Sequence, residues 1–322
     1  MNEALSSSAP ESRITRTLIL GTRPSRLARW QTEEVATALR AAWPGLHTEV
    51  KAYVTQGDRD TKRPLPEIGG KGLFTAEIEA ALRRGEIDLA VHSLKDLPIA
   101  QSDGLVIGAV LQRADARDVL ISRHGQPLEA LPASPRVGTS SLRRAAQVRA
   151  LRPDAQIISL RGNVETRLRK ANGDEYDAVV LAAAGITRLG LAAHVTQWLP
   201  FDVMLPAPAQ GALAAQCRAD DQETLGLLQR IHHLPTWAAV TAERAFLAGL
   251  GGGCSAPVAA YAEPSSAAGC SGARLLLQGL VASLDGQKVV RVAGEGPLEA
   301  AEQLGQQLAE QALARGAAEL LR

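Results

Sequence analysis

Thr17-Leu-Ile-Leu-Gly-Thr-Arg-Pro-Ser-Arg-Leu-Ala-Arg29 is the stretch on which the fold turns. It reads as a short apolar strand to Gly21 and a turn at Thr22–Ser25. A helix follows, in which Leu27, Trp30, Val35, Ala38, Leu39 and Ala42 recur at helical spacing. Arg136-Val-Gly-Thr-Ser-Ser-Leu-Arg-Arg144 repeats that plan: strand, Gly-Thr, serine, then an arginine-bearing helix. Around the first copy, Leu46–Val54 and Ile87–Val91 read as strands, the second ending directly at His92-Ser-Leu-Lys-Asp96. Between them, Gly69-Gly-Lys-Gly72 leads into a helix carrying Leu73, Phe74, Ile78 and Leu82. Around the second copy, Ala155–Leu160 and Asp177–Leu181 supply strands. Strands alternating with helices predict an α/β fold with mostly parallel sheets covered on both faces. Two similar lobes then face a cleft, with ligands received at strand carboxyl ends and helix amino ends.

Pro206-Ala-Pro208, followed by Gln210-Gly211, reads as a return crossing between lobes. A third region begins near Leu234 with a helix carrying Ala239, Val240, Phe246 and Leu247, which ends in Gly249-Leu-Gly-Gly-Gly253. Strands follow at Val258–Ala262, Leu275–Leu284 and Val289–Ala293, with Asp285-Gly286 as a hairpin turn. A last helix sets Ala301, Leu304, Leu308 and Ala312 on one stripe. The expected division is residues 1–112 with about 209–230, residues 113–208, and a small α+β domain at 231–322.

The 322 residues are enough for two or three cores, and 46% hydrophobic content excludes a disordered chain. No apolar run is long enough to span a bilayer. The polar first 17 residues lack the pattern of a secretory signal and read as a frayed extension. Thirty-five basic residues against 34 acidic ones give a net charge of +1, which argues against nonspecific nucleic-acid binding. Three cysteines, Cys217, Cys254 and Cys270, make no disulfide scaffold and no metal spacing, and a reducing cytoplasm fits them best. His232 and His233 read as surface or helix-end residues rather than a zinc pair.

Several side chains carry chemistry. Three glycines precede Cys254, a setting for an accessible nucleophilic thiol or, equally, for a small apolar residue sealing a domain boundary. Cys217 sits in a regular apolar–polar pattern and is expected to pack. Lys95 and Asp96 follow a buried strand, where an open α/β sheet presents ligand-facing groups. Asp96 would steady a cation or accept a ring N–H, or merely cap the turn before Pro98. Lys95 would form a Schiff base, although the adjacent acid favours its protonated state. Arg143, Arg144, Arg161 and Arg167, with Ser140 and Ser141 at a helix start, suit anions, and Arg23 and Ser25 supply an opposite wall. Gly69-Gly-Lys-Gly72 lacks the spacing of a P-loop, and no dinucleotide fingerprint occurs.

Together these motifs resemble the porphobilinogen deaminase (hydroxymethylbilane synthase) family. The resemblance runs through Gly21–Ala28, Gly69–Phe74, His92–Pro98, Val137–Arg144, Ser159-Leu-Arg-Gly-Asn-Val164, Pro208-Ala-Gln-Gly211, Thr241-Ala-Glu-Arg244 and Gly252-Gly-Cys254, from about Arg16 to the final helix. Gly251 departs from the glutamate many members carry there. The resemblance implies three domains, two of them like the lobes of type II periplasmic binding proteins. It implies a dipyrromethane cofactor joined to Cys254 by a thioether. On that primer four porphobilinogen units are added, each losing ammonia, before hydrolysis releases the linear tetrapyrrole. It assigns Asp96 as the catalytic acid, with Lys95, Thr139, Ser141, Arg143 and Arg144 at the cofactor. Arg23, Ser25, Lys71, Ser140, Arg161, Arg167 and Gln210 fall to the substrate and the growing polypyrrole chain. A cytoplasmic monomer handing its product to uroporphyrinogen-III synthase, without nucleic acid, membrane or metal, completes the expectation. Two alternatives stand beside it: a noncatalytic bilobal binder of a small polycarboxylate, and a Schiff-base enzyme working through Lys95.

Overall fold

The computed structural model describes residues 16–59, 72–100, 102–252, 256–265 and 273–321. Lys71, Cys254, Cys270 and nearly all of the N-terminal extension lie outside the described residues. Strands β1 (Thr17–Thr22), β2 (His47–Ala52), β3 (Leu89–Ser93) and β4 (Leu105–Val110) come in succession. They are joined by helices α1 (Arg26–Ala42) and α2 (Ala76–Arg83). The chain then crosses over and forms β5 (Asp118–Ser122), β6 (Arg136–Gly138), helix α3 (Leu142–Leu151), β7 (Gln156–Ile158), helix α4 (Val164–Ala171), β8 (Ala178–Ala182), helix α5 (Ala183–Arg188) and β9 (Gln197–Leu199). It returns through β10 (Leu213–Arg218) and helix α6 (Gln222–Gln229).

Two five-stranded sheets result, with orders β2-β1-β3-β10-β4 and β7-β6-β8-β5-β9. Their plans correspond strand for strand. In each, three neighbouring strands run parallel, and a strand delivered by a crossing segment lies antiparallel beside the third. Four of the five strands in each sheet run the same way, as expected of mostly parallel sheets, and the reversal is confined to β10 and β5. Their pairing partners lie far away in sequence, where local periodicity carries no information about them.

The reversal has a consequence for ligand binding. Asp118, the first residue of β5, pairs with Ala182 at the carboxyl end of β8. Leu213, the first residue of β10, pairs with Ser93 at the carboxyl end of β3. Each crossing segment thus delivers its side chains to the sheet edge where open α/β folds bind ligands.

The apolar periodicity of β1 and α1 is used as the sequence suggests: Leu18, Leu20, Val35 and Leu39 are buried in one core. Cys217 is buried in that core as well, and burial pushes its thiol up to about 12. Trp30 is instead half exposed, and Gln31 is buried to donate to Ser93 Oγ at 2.9 Å. His92 falls inside β3 rather than after it. Burial pushes it down to about 4, against its 3.1 Å bond with Gln216 Oε1, so it is neutral at physiological pH. His233 caps the amino end of the next helix and His232 Nδ1 accepts from Val110 N at 3.1 Å; both have structural work.

Helix α7 (Leu234–Gly249) leads to an antiparallel sheet β11 (Val258–Ser265), β12 (Arg274–Ala282), β13 (Val289–Pro297), followed by helix α8 (Ala301–Ala314). Phe246 and Leu247 of α7, Leu275 and Leu277 of β12, and Leu304 and Leu308 of α8 share one core. The turn between β12 and β13 falls at Asp285-Gly286, with φ of +74° at Gly286. A side chain there would strike Ala146 O and Ala150 N of α3 at 2.6 Å, so this turn rests directly on the second lobe. Among the described residues, no helix is long and apolar enough to cross a membrane.

Candidate functional site

Asp96 stands on a single 3-10 turn, Leu94–Asp96, immediately after β3, and is exposed. The turn is fixed from behind. Arg244 of α7 donates to Leu97 O at 3.1 Å and Pro98 O at 2.6 Å, clamping the backbone beyond Asp96. Buried carbonyls at such a turn need donors, and a guanidinium provides several from one rigid plane.

Beside Asp96, Lys95 Nζ donates to Gln210 Oε1 at 3.1 Å. Gln210 is fully buried and donates in turn to Ala116 O and Asp118 Oδ1, each at 2.8 Å. Asp118, also fully buried, accepts from Arg143 Nη1 at 2.7 Å through Oδ2. Through Oδ1 it accepts from Arg144 Nη2 at 2.7 Å and Nε at 3.2 Å. One chain of contacts therefore links the β3 edge of the first lobe to the start of α3 in the second.

Burial alone would raise the pKa of Asp118, but the two guanidiniums hold it well below the usual carboxylate range. Burial also lowers Arg143, and it pushes Lys95 down to about 8, with Asp96 partly opposing that shift. Arg167, on α4, is pushed down to about 10, first by burial and then by Arg144, while Asp96 acts in the opposite direction and Arg161 adds to the lowering. Asp96, Arg144, Arg161 and Arg167 thus share one electrostatic neighbourhood across the two lobes.

The other predicted residues occupy helix starts and their flanks. Ser25 Oγ accepts from Ala28 N and caps α1; Ser141 Oγ accepts from Arg144 N and caps α3. Thr139 Oγ1 accepts from Ser141 N at 3.1 Å, and Ser140 Oγ bonds Leu160 O at 2.9 Å. Arg23 is paired with Asp58, and its guanidinium lies 4.3 Å from the centre of the Phe74 ring. Arg167 Nε donates to Gly162 O at 2.8 Å. Lys71 and Cys254 lie outside the described residues.

Sequence reasoning missed Asp118, Glu243 and Arg113. Glu243, fully buried on α7, grips Arg113 with both oxygens, at 2.5 and 3.1 Å. It also accepts from Ala209 N at 2.6 Å and Ala262 N at 2.7 Å. Both crossing segments are thereby tied to the third sheet. For Asp118 the local sign was an acid set in an apolar run, Asp118-Val-Leu-Ile121, and for Glu243 it was its place in Thr241-Ala-Glu-Arg244.

A carboxylate-bearing ligand fits this donor set. Arg143 and Arg144 share one buried acid, Asp118, which leaves an excess of positive charge between them. Arg143 Nε is buried and has no hydrogen-bond partner among the described residues. Such a donor costs about 1–3 kcal/mol until an acceptor reaches it.

A sequence profile described as porphobilinogen deaminase, dipyromethane cofactor binding domain, matches residues 18–226. The chain belongs to the porphobilinogen deaminase family. A second profile, porphobilinogen deaminase, C-terminal domain, matches residues 237–314. Porphobilinogen deaminase of Syntrophomonas wolfei is 47% identical over 95% of this chain and 98% of its own length. That of Desulforudis audaxviator is 50% identical over 96% of this chain and 98% of its own. The Roseiflexus sp. protein of the same name is 49% identical over 96% and 99%. Among solved structures, the BenM effector binding domain with its effector benzoate superposes at a TM-score of 0.41 and 15% identity, covering 68% of this chain and 91% of that chain.

Proposed function

We propose that this chain is a hydroxymethylbilane synthase: it deaminates four porphobilinogen molecules, condenses them in sequence on a covalently held dipyrromethane primer, and releases hydroxymethylbilane by hydrolysis. The observation that carries this reading is the profile match over residues 18–226. Each addition breaks the bond from the aminomethyl carbon to nitrogen, so ammonia leaves. It forms a carbon–carbon bond to a pyrrole α-carbon, which gives up its proton. Four additions release four ammonia molecules, and one water is consumed at release. When bound, dipyrromethane supplies the first pyrrole carbon and its own carboxylates.

The chain's residues divide the remaining work. Asp96 accepts pyrrole N–H groups and steadies the positive charge that develops as ammonia departs. Cys254 holds the primer, with Lys95, Thr139, Ser141, Arg143 and Arg144 receiving its carboxylates. Arg23, Ser25, Lys71, Ser140, Arg161, Arg167 and Gln210 receive porphobilinogen and the lengthening product. Every added ring brings two carboxylates, and guanidinium forks are the side chains best shaped to hold them. We read the two five-stranded lobes as the type II periplasmic-binding kind, with domain limits near residues 112, 208 and 230. The sparse cysteines favour the cytoplasm, and family membership favours a monomer whose product passes to uroporphyrinogen-III synthase.

Intact-protein mass tests the tether. The wild-type chain incubated with porphobilinogen is expected to carry a dipyrromethane adduct, which Cys254→Ser loses together with all turnover. A fully active wild type without an adduct would overturn the covalent reading. Adduct-free, inactive protein that binds small polycarboxylates would favour the noncatalytic alternative.

Lys95 supplies a pH test. Its charged form prevails below about pH 8 and is lost as pH rises through that value, because burial lowers its pKa. The fraction of chain loaded with primer, read by intact mass after incubation with porphobilinogen, is expected to fall several-fold between pH 7 and 9. In Lys95→Arg, whose charge persists, that alkaline loss should disappear. Identical alkaline profiles in the two proteins would remove Lys95 from carboxylate binding.

A further inference from the structure

Helix α3 begins Leu142-Arg-Arg144 and has no acid in its first turn. Cations at a helix amino end oppose the helix dipole, and both of these arginines are also buried, at 4% and 6% exposure. Two buried guanidiniums side by side repel each other and would not hold one orientation unaided. Asp118 answers both problems from a different element. It is fixed at the edge of the sheet by the antiparallel pairing of β5 with β8 and takes one guanidinium on each oxygen. Main-chain acceptors complete the cradle: Leu205 O takes Arg143 Nη1 at 2.7 Å, and Val180 O takes Arg144 Nη1 at 3.0 Å. Gln210 joins the same Asp118 oxygen to Lys95.

We propose that Asp118 is a positioning residue for primer capture, orienting Arg143, Arg144 and, through Gln210, Lys95 so that their remaining donors meet the carboxylates of the bound dipyrromethane. The proposal rests on the function given above and deepens it. Asp118 offsets one of the two guanidinium charges and leaves the other for the ligand. A second acid at this place would quench the site, and an apolar residue would release the two arginines from their shared orientation. Asp118 makes no contact with the reacting carbons and takes no part in proton transfer.

The test is Asp118→Asn, an isosteric change, with primer loading read by intact mass after incubation with porphobilinogen. The loaded fraction is expected to fall at least tenfold, while the molecules that do load keep a kcat within a few-fold of wild type. Wild-type loading by Asp118→Asn would overturn the proposal. Because Asp118→Asn alone leaves two buried cations unopposed and threatens folding, two variants with one cation fewer accompany it, Arg144→Gln and Arg144→Gln with Asp118→Asn, and loading is counted per folded molecule from the near-UV circular dichroism. If Asp118 positions Arg143, the folded double variant loads at least threefold less than folded Arg144→Gln. If Asp118 serves only to neutralise buried charge, the double variant yields less folded protein, but its folded molecules load as well as those of Arg144→Gln, and the proposal fails. A wild-type chain that takes up no pyrrole adduct overturns the function itself, whereas a loading wild type beside an equally loading Asp118→Asn overturns the positioning role alone.

Discussion

Asp96→Asn is expected to slow hydroxymethylbilane formation by roughly two to four orders of magnitude, the range for losing a positioned acid–base group. The substitution keeps the size of the side chain and removes its charge. Asp96 is exposed on a turn whose carbonyls are held by Arg244, so neither core packing nor the clamp is touched. Folding should therefore survive, with a melting temperature within a degree or two of wild type. What is lost is the negative charge facing a cation that forms as ammonia leaves, in a neighbourhood otherwise crowded with Lys95, Arg144, Arg161 and Arg167. In those surroundings an uncompensated developing cation is repelled from every side, which is why the expected effect is large. Ammonia release in a single turnover, measured on protein whose primer load is known by mass, isolates this step from primer assembly. Turnover near that of wild type would strip Asp96 of its central role.

Glu243→Leu has the second largest expected effect, here on stability. Breaking a buried ion pair by removing one partner typically costs about 3–5 kcal/mol, because the other charge stays buried without compensation. Arg113 would be left in that position, and the N–H groups of Ala209 and Ala262 would lose their acceptor. Ala209 already holds φ of +64°, a costly conformation for a residue with a Cβ, and its bond to Glu243 helps to hold it there. The melting temperature should fall by about 10 °C. Adding Arg113→Met removes the stranded charge and should recover about half of the loss; the two backbone donors prevent full recovery. A single variant as stable as wild type would show that the junction does not depend on this pair.

Activity should suffer alongside stability in Glu243→Leu. Glu243 and Arg244 are consecutive on α7: the first holds the two crossing segments, and the second holds the Asp96 turn. The helix ends at Gly249, five residues before Cys254 in sequence. The same helix therefore clamps the turn bearing the proposed acid and precedes the proposed tether in sequence.

Much of this was legible in the chain itself. The repeated unit of strand, Gly-Thr, serine and arginine-bearing helix at 17–29 and 136–144 foretold two lobes, because strand and helix periodicities are local properties. The glycine run before Cys254 and the strand running into His92–Asp96 marked the candidate thiol and acid, since glycine freedom and strand ends are also local signals. Tertiary structure decided the rest. Nothing near Asp118 in sequence shows that it will lie between Arg143 and Arg144, because the antiparallel insertion of β5 beside β8 creates that meeting. Gln210 reaches Lys95 only because β10 returns to the first sheet, and Glu243 meets Arg113 across 130 residues of chain. Periodicity states which face of an element is apolar, but not which distant charge will be buried against it. The sequence therefore offered a candidate thiol and a candidate acid, and the fold determined which buried acids hold the cations near that candidate acid.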